Sequence, residues 1–178
     1  MSDETFKSKL SKLIQKSRKA LRIYSQATTP GKHRASTKPY ADQQIAIWYK
    51  INEELLEFLV EITRNAHLRK VANESLAYAK LCQRKVITEQ QTLHEKHQQL
   101  VSYSESGNFI NSAKLSSELI QLKASVQARS AVLAELEDLL SYANLKLPVT
   151  HEPPEGPPEL AVKSSIIIPF SSKKIVFK

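Results

Sequence analysis

Between Tyr40 and Tyr103 the chain carries neither glycine nor proline. These residues are the usual breakers of helices and formers of tight turns, so a stretch this long without them points to long helices. Hydrophobic residues in the stretch recur at helical spacing. Ile45, Trp48, Ile51/Asn52, Leu55, Phe58/Leu59 and Ile62 keep a seven-residue repeat. A weaker stripe continues through Leu68, Val71, Ser75, Tyr78, Cys82, Val86, Leu93 and Leu100. The pattern predicts one helix of roughly 90 Å at 1.5 Å per residue, with a kink near residues 63–74. Asn65 and Asn73 are the places where a new helix would be capped if the segment folds back.

The next break is Ser106-Gly107-Asn108. Beyond it Leu115, Leu119, Leu122, Val126, Arg129, Leu133, Leu136, Leu140, Ala143 and Leu147 follow one another at alternating four- and three-residue steps. That is a coiled-coil seam with one charged position, Arg129. The short break lets this helix run antiparallel to residues 68–101, giving a coiled-coil hairpin with its turn near 104–108. Leu147-Pro148 is the expected stop.

Ahead of the long stretch lies a basic head. The formal charge is +8, yet residues 1–38 alone hold ten Lys/Arg against two acids, and residues 39–147 are close to neutral. Phe6, Leu10, Leu13, Ser17, Ala20/Leu21 and Tyr24 form one helical face, with Ser2 or Asp3 suited to cap its start. Lys7, Lys9, Lys12, Lys16, Arg18, Lys19 and Arg22 occupy much of the remainder, and Lys32 and Arg34 extend the patch into a loop marked by Pro30-Gly31 and Pro39. Within that loop Thr29-Pro30-Gly31-Lys32 fits the preference of proline-directed kinases. A phosphate on Thr29 would set close to two negative charges beside Lys32 and Arg34.

The other end differs again. Six of the eight prolines follow residue 147, and residues 148–163 read as an extended Pro-rich linker. In the tail, residues 164–178, Ile166, Ile168 and Phe170 alternate, as do Ile175 and Phe177. Alternation of this kind suits a peptide added to another protein's sheet edge. A loose terminus with no docking role is the plainer alternative. The chain thus divides into 1–39 (basic amphipathic helix plus loop), 40–147 (long helix and antiparallel hairpin), 148–163 (linker) and 164–178 (strand-prone basic tail), an all-α protein with an extended C-terminal tail.

Residues able to carry chemistry are sparse. Glycine totals 3 in 178 residues, far below the average of about 7%, which argues against α/β enzymes and their phosphate loops. No GxGxxG, P-loop or nucleophile-elbow pattern occurs. His94 and His97 lie three apart with no third ligand nearby, so solvated histidines are the simpler reading. Glu53, Glu57 and Glu61, with Glu54 beside them, form an acidic ridge that suits a solvated face or a partner for the basic helix better than a metal. Cys82, the lone cysteine, excludes an internal disulfide and reads as a small buried hydrophobe in a reducing compartment. Trp48 reads as core. No apolar run approaches a membrane span, and the N-terminus has no apolar signal-peptide core.

These features predict a non-catalytic coiled-coil scaffold subunit of a multiprotein assembly, with no cofactor and no catalytic or metal residues. Its partners would be other helical subunits, with DNA or chromatin contacted through the N-terminus. The expected setting is nuclear and linked to chromosome segregation, as in a kinetochore-like complex. The alternatives are a cytoplasmic trafficking or autophagy adaptor that lays its basic helix on anionic membranes, and a nucleic-acid-binding protein without sequence preference.

Overall fold

The computed structural model describes residues 3–27, 39–65 and 67–148. The protein is all-α: among the described residues there are four helices and no strand. They are α1 (Asp3–Ala27), α2 (Pro39–Asn65), α3 (Leu68–Glu105) and α4 (Phe109–Ser141).

Cross-helix bonds give the directions. Gln121 donates to Gln43 at 3.2 Å, and Arg129 pairs with Glu54 at 3.6 Å, so α2 and α4 run the same way. Lys96 reaches Glu118 while Arg129 reaches Glu89, so α3 opposes α4. Lys16 pairs with Glu135 and Lys9 with Asp138, so α1 also opposes α4. The result is an up-down-up-down bundle. Helix α4 packs against both α2 and α3, while α1 lies chiefly on α2.

The core follows the stripes. Phe6, Leu10, Leu13 and Tyr24 of α1 are buried, as are Trp48, Ile51, Leu55, Leu59 and Ile62 of α2. Tyr24 and Trp48 meet with ring centroids 6.5 Å apart. Ser17, Asn52 and Ser75 are fully buried polar residues. Asn52 donates to the Trp48 carbonyl at 2.8 Å, whereas its Oδ1 and the hydroxyls of Ser17 and Ser75 have no partner among the described residues.

Three features depart from expectation. Residues 40–101 are two antiparallel helices, broken between Asn65 and Leu68. His67 enters α3 in extended conformation with no side-chain cap. The break has a packing cause: folding back lets the apolar stripes of α2 and α3 both lie on α4, which a straight rod could not achieve. The second departure is the end of α4. It stops at Ser141, short of Leu147-Pro148. Asn144 adopts a left-handed backbone (φ 56°), and the Leu145 N–H donates to the Leu140 carbonyl, closing the helix in a Schellman-like turn. Ala143 and Leu147 therefore lie beyond the helix.

The third departure is the phase of the α4 seam. Leu115, Leu119, Leu136 and Leu140 are buried as the heptad pattern requires, but Leu122, Val126 and Leu133 are half-buried. In their stead Ala124, Ala128, Val132 and Leu139 are almost wholly enclosed. Heptad arithmetic assumes one facing partner. Helix α4 has neighbours on more than one side and is accordingly apolar around much of its circumference. The turn before it is as expected: Gly107 has φ +71°, and the Asn108 side chain caps α4 by accepting from the Asn111 N–H at 3.3 Å.

Candidate functional site

The basic residues of α1 separate into two sets. Lys9 and Lys16 turn toward α4. Lys16 pairs with Glu135, and Lys9 lies 3.4 Å from Asp138 with its ammonium 4.4 Å from the centre of the Tyr142 ring. Tyr142 and Asp138 hold the Lys9 ammonium above its ordinary pKa. Lys7, Lys12, Arg18, Lys19 and Arg22 are all exposed, Lys7 at the flank of the buried stripe and the other four farther round the helix. None of these five pairs with an acid among the described residues.

The acidic ridge of α2 is not the partner of these lysines. Glu53 accepts from the Tyr49 hydroxyl at 3.2 Å, and Glu54 pairs with Arg129. Glu57 and Glu61 are exposed on the wall of a groove of about 300 Å³ between α2 and α3. The cations of α1 that are neutralised find their acids on α4. The cluster Glu135, Glu137, Asp138 near the end of α4 was the available signal.

Arg129 has a role that its place in the seam only hinted at. Its side chain is 15% exposed and bridges Glu54 of α2 and Glu89 of α3, the latter at 3.1 Å. Ser125 donates to the same Glu89 carboxylate at 2.9 Å. One guanidinium on the shared helix thus ties both neighbours. Above it Phe58 of α2 stacks on Tyr78 of α3, ring centroids 4.1 Å apart. Burial pushes the Tyr78 hydroxyl and the Cys82 thiol up, so Cys82 stays a neutral thiol in a packed wall.

A second cleft, of about 770 Å³, opens where the start of α1 meets the end of α2 and the start of α3. Lys7, Ser11, Thr63, His67 and Arg69 line its polar side, over an apolar floor that includes Leu10 and Val71.

The hairpin end is bare. Phe109 and Ile110 are 79% and 84% exposed, and Val101 is 49% exposed. His94 and His97 are exposed, His94 lying 2.9 Å from the Gln98 amide, and no group of three metal-ligating side chains occurs among the described residues. No described helix is long and apolar enough to cross a membrane. Thr29, Lys32 and Arg34, and the tail with Ile166, Ile168, Phe170, Ile175 and Phe177, lie outside the described residues.

No family model, no curated protein and no solved structure matches this chain.

Proposed function

We propose that the chain is a non-catalytic helical scaffold, a subunit that joins other helical proteins in a larger assembly. The observation that carries the reading is the α3–α4 hairpin. Gln43, near the start of α2, is bonded to Gln121, yet α4 begins at Phe109. The hairpin therefore runs about 18 Å past that level at 1.5 Å per residue. On α3 no residue after Val86 is buried. An arm of this length that ends in bare Phe109 and Ile110 has little use in a free monomer and suits a partner's helices. The proposed setting is nuclear and chromosome-linked, supported by the charge asymmetry and by Thr29-Pro30-Gly31-Lys32. The membrane-adaptor alternative has less support, because the apolar face a membrane helix would use is spent on the bundle.

The test is a double substitution, Phe109→Ser with Ile110→Ser. Both side chains are solvated, so the helical circular dichroism should be unchanged. The native complex recovered from cells should lose components, measured by sizing and by identification of the co-purifying chains. A complex of unaltered size and composition would sink the role assigned to the tip.

A further inference from the structure

We infer that the outward row of α1 is an interface for the phosphate backbone of duplex nucleic acid, read without regard to base sequence. The inference does not depend on the scaffold reading. It rests on four observations. First, the cations stand on a fixed helix: Phe6, Leu10, Leu13 and Tyr24 anchor α1 in the bundle, so its cations are held on a rigid support, fanned over roughly 140° of its outer arc at 3.6 residues per turn, and not scattered on a coil. Second, the fold sorts the lysines. Lys9 and Lys16 are neutralised by α4, while Lys7, Lys12, Arg18, Lys19 and Arg22 are left exposed without an acidic partner among the described residues. Third, the length fits. From Lys7 to Arg22 the helix rises about 22 Å, and duplex DNA presents one negative charge per ~1.7 Å of axis, so the span covers more phosphates than the row has cations. Fourth, the positive surface continues past Lys7 into the cleft it shares with His67 and Arg69, at the start of α3. The exposed acid on the same arc is Glu4, at its N-terminal end.

The row contains no aromatic side chain to stack on a base, and its exposed basic side chains are lysines and arginines that suit phosphate. That composition suits contacts that position a duplex without reading it. An anionic bilayer competes for the same cations but would gain only their charge, since the apolar face of α1 is closed against α2.

The experiment uses the full chain and a fluorescein-labelled 24-base-pair duplex of random sequence, with anisotropy followed between 50 and 200 mM NaCl. Counterion release contributes a slope of roughly −0.9 per phosphate contact. Five contacts give about −4.5, a loss of affinity on the order of 500-fold across that range. Replacing Lys7, Lys12, Arg18, Lys19 and Arg22 together by Gln should abolish most of the binding and flatten the slope by about that amount, with the circular dichroism unchanged. A control that changes net charge equally, Lys80, Arg84, Lys85, Lys114 and Lys123 to Gln, removes exposed cations from α3 and α4 and should keep most of the binding. Equal losses in the two variants would show that net charge, and not this row, attracts the duplex, and would overturn the inference. So would a wild-type chain that ignores the duplex at 50 mM salt, or one that binds phosphatidylserine vesicles through the row while leaving the duplex unbound.

Discussion

The α3–α4 hairpin is made of the same two helices throughout, but its two ends are different materials. At the bundle end the contact surface is small and closed. Ala72, Ser75, Ala79 and Cys82 of α3 are buried, and so are Ala124 and Ala128 of α4. Short side chains let backbones approach, and α2 completes the enclosure with Leu55 and Leu59 at zero exposure. At the tip only Leu115 and Leu119 are buried, while Val101, Phe109 and Ile110 face outward. Helicity therefore has different sources along one element. In the body tertiary packing sustains it, while at the tip it leans on the Asn108 cap, the Gly107 turn and a few cross-helix pairs. A region with few buried contacts opens first, so the tip should open before the body does.

The sharpest way to break this contrast is to delete matched side chains. Leu136→Ala in the body, at zero exposure, should cost about 2–5 kcal/mol and lower the melting temperature substantially. Ile110→Ala, at 84% exposure, should stay within about 0.5 kcal/mol of the parent. Comparable losses from the two in denaturant unfolding would mean that the tip is not bare. Next in size is Arg129→Met. It leaves the Glu89 carboxylate, 22% exposed, without its cation and removes the ionic tie from α4 to α2 and α3. A loss near 2 kcal/mol is expected, and adding Glu89→Gln should restore part of it. Ala128→Leu probes close approach instead of charge. Ala128 is fully enclosed, so the added atoms should cost about 1–3 kcal/mol in the same measurement.

Much of this contrast was written in the sequence, though not all in the same way. The absence of Gly and Pro from Tyr40 to Tyr103 gave long helices, and Ser106-Gly107-Asn108 gave the turn, because those signals are local and chemical. The break between Asn65 and Leu68 has no Gly or Pro; the sequence marks it only as a kink near residues 63–74, with Asn65 and Asn73 as caps should the chain fold back. It is made by tertiary demand, since the stripes of α2 and α3 both belong on α4, and no count of helix formers reveals that. Likewise the heptad pattern of α4 found Leu115, Leu119, Leu136 and Leu140 but not Ala124, Ala128 or Val132. Periodicity marks large apolar residues, whereas two of the most enclosed positions of α4, Ala124 and Ala128, hold small ones. Among the basic residues the list was legible, but the sorting was not. Which lysines are spent on Glu135 and Asp138 depends on how α1 crosses α4.

The smallest expected effect is at the tip and concerns a single pair. Lys96 donates to Glu118 at 2.6 Å, and that hydrogen bond and charge hold the Glu118 carboxyl below its ordinary value of 4.5. A carboxylate depressed in the folded state contributes stability above its unfolded pKa and loses it as pH falls through the lower folded value. Lys96→Met should therefore move the Glu118 titration, followed by carboxyl carbon NMR, back up toward 4.5. It should also reduce amide protection in the flanking turns, around residues 95–101 and 112–119, at pH 7. As the pH drops below the titration, parent and variant should converge, because a neutral Glu118 no longer distinguishes them. A difference in tip protection that persists in acid would assign the effect to side-chain packing at position 96 and not to its charge. The tip would then be held by packing after all, as the body is.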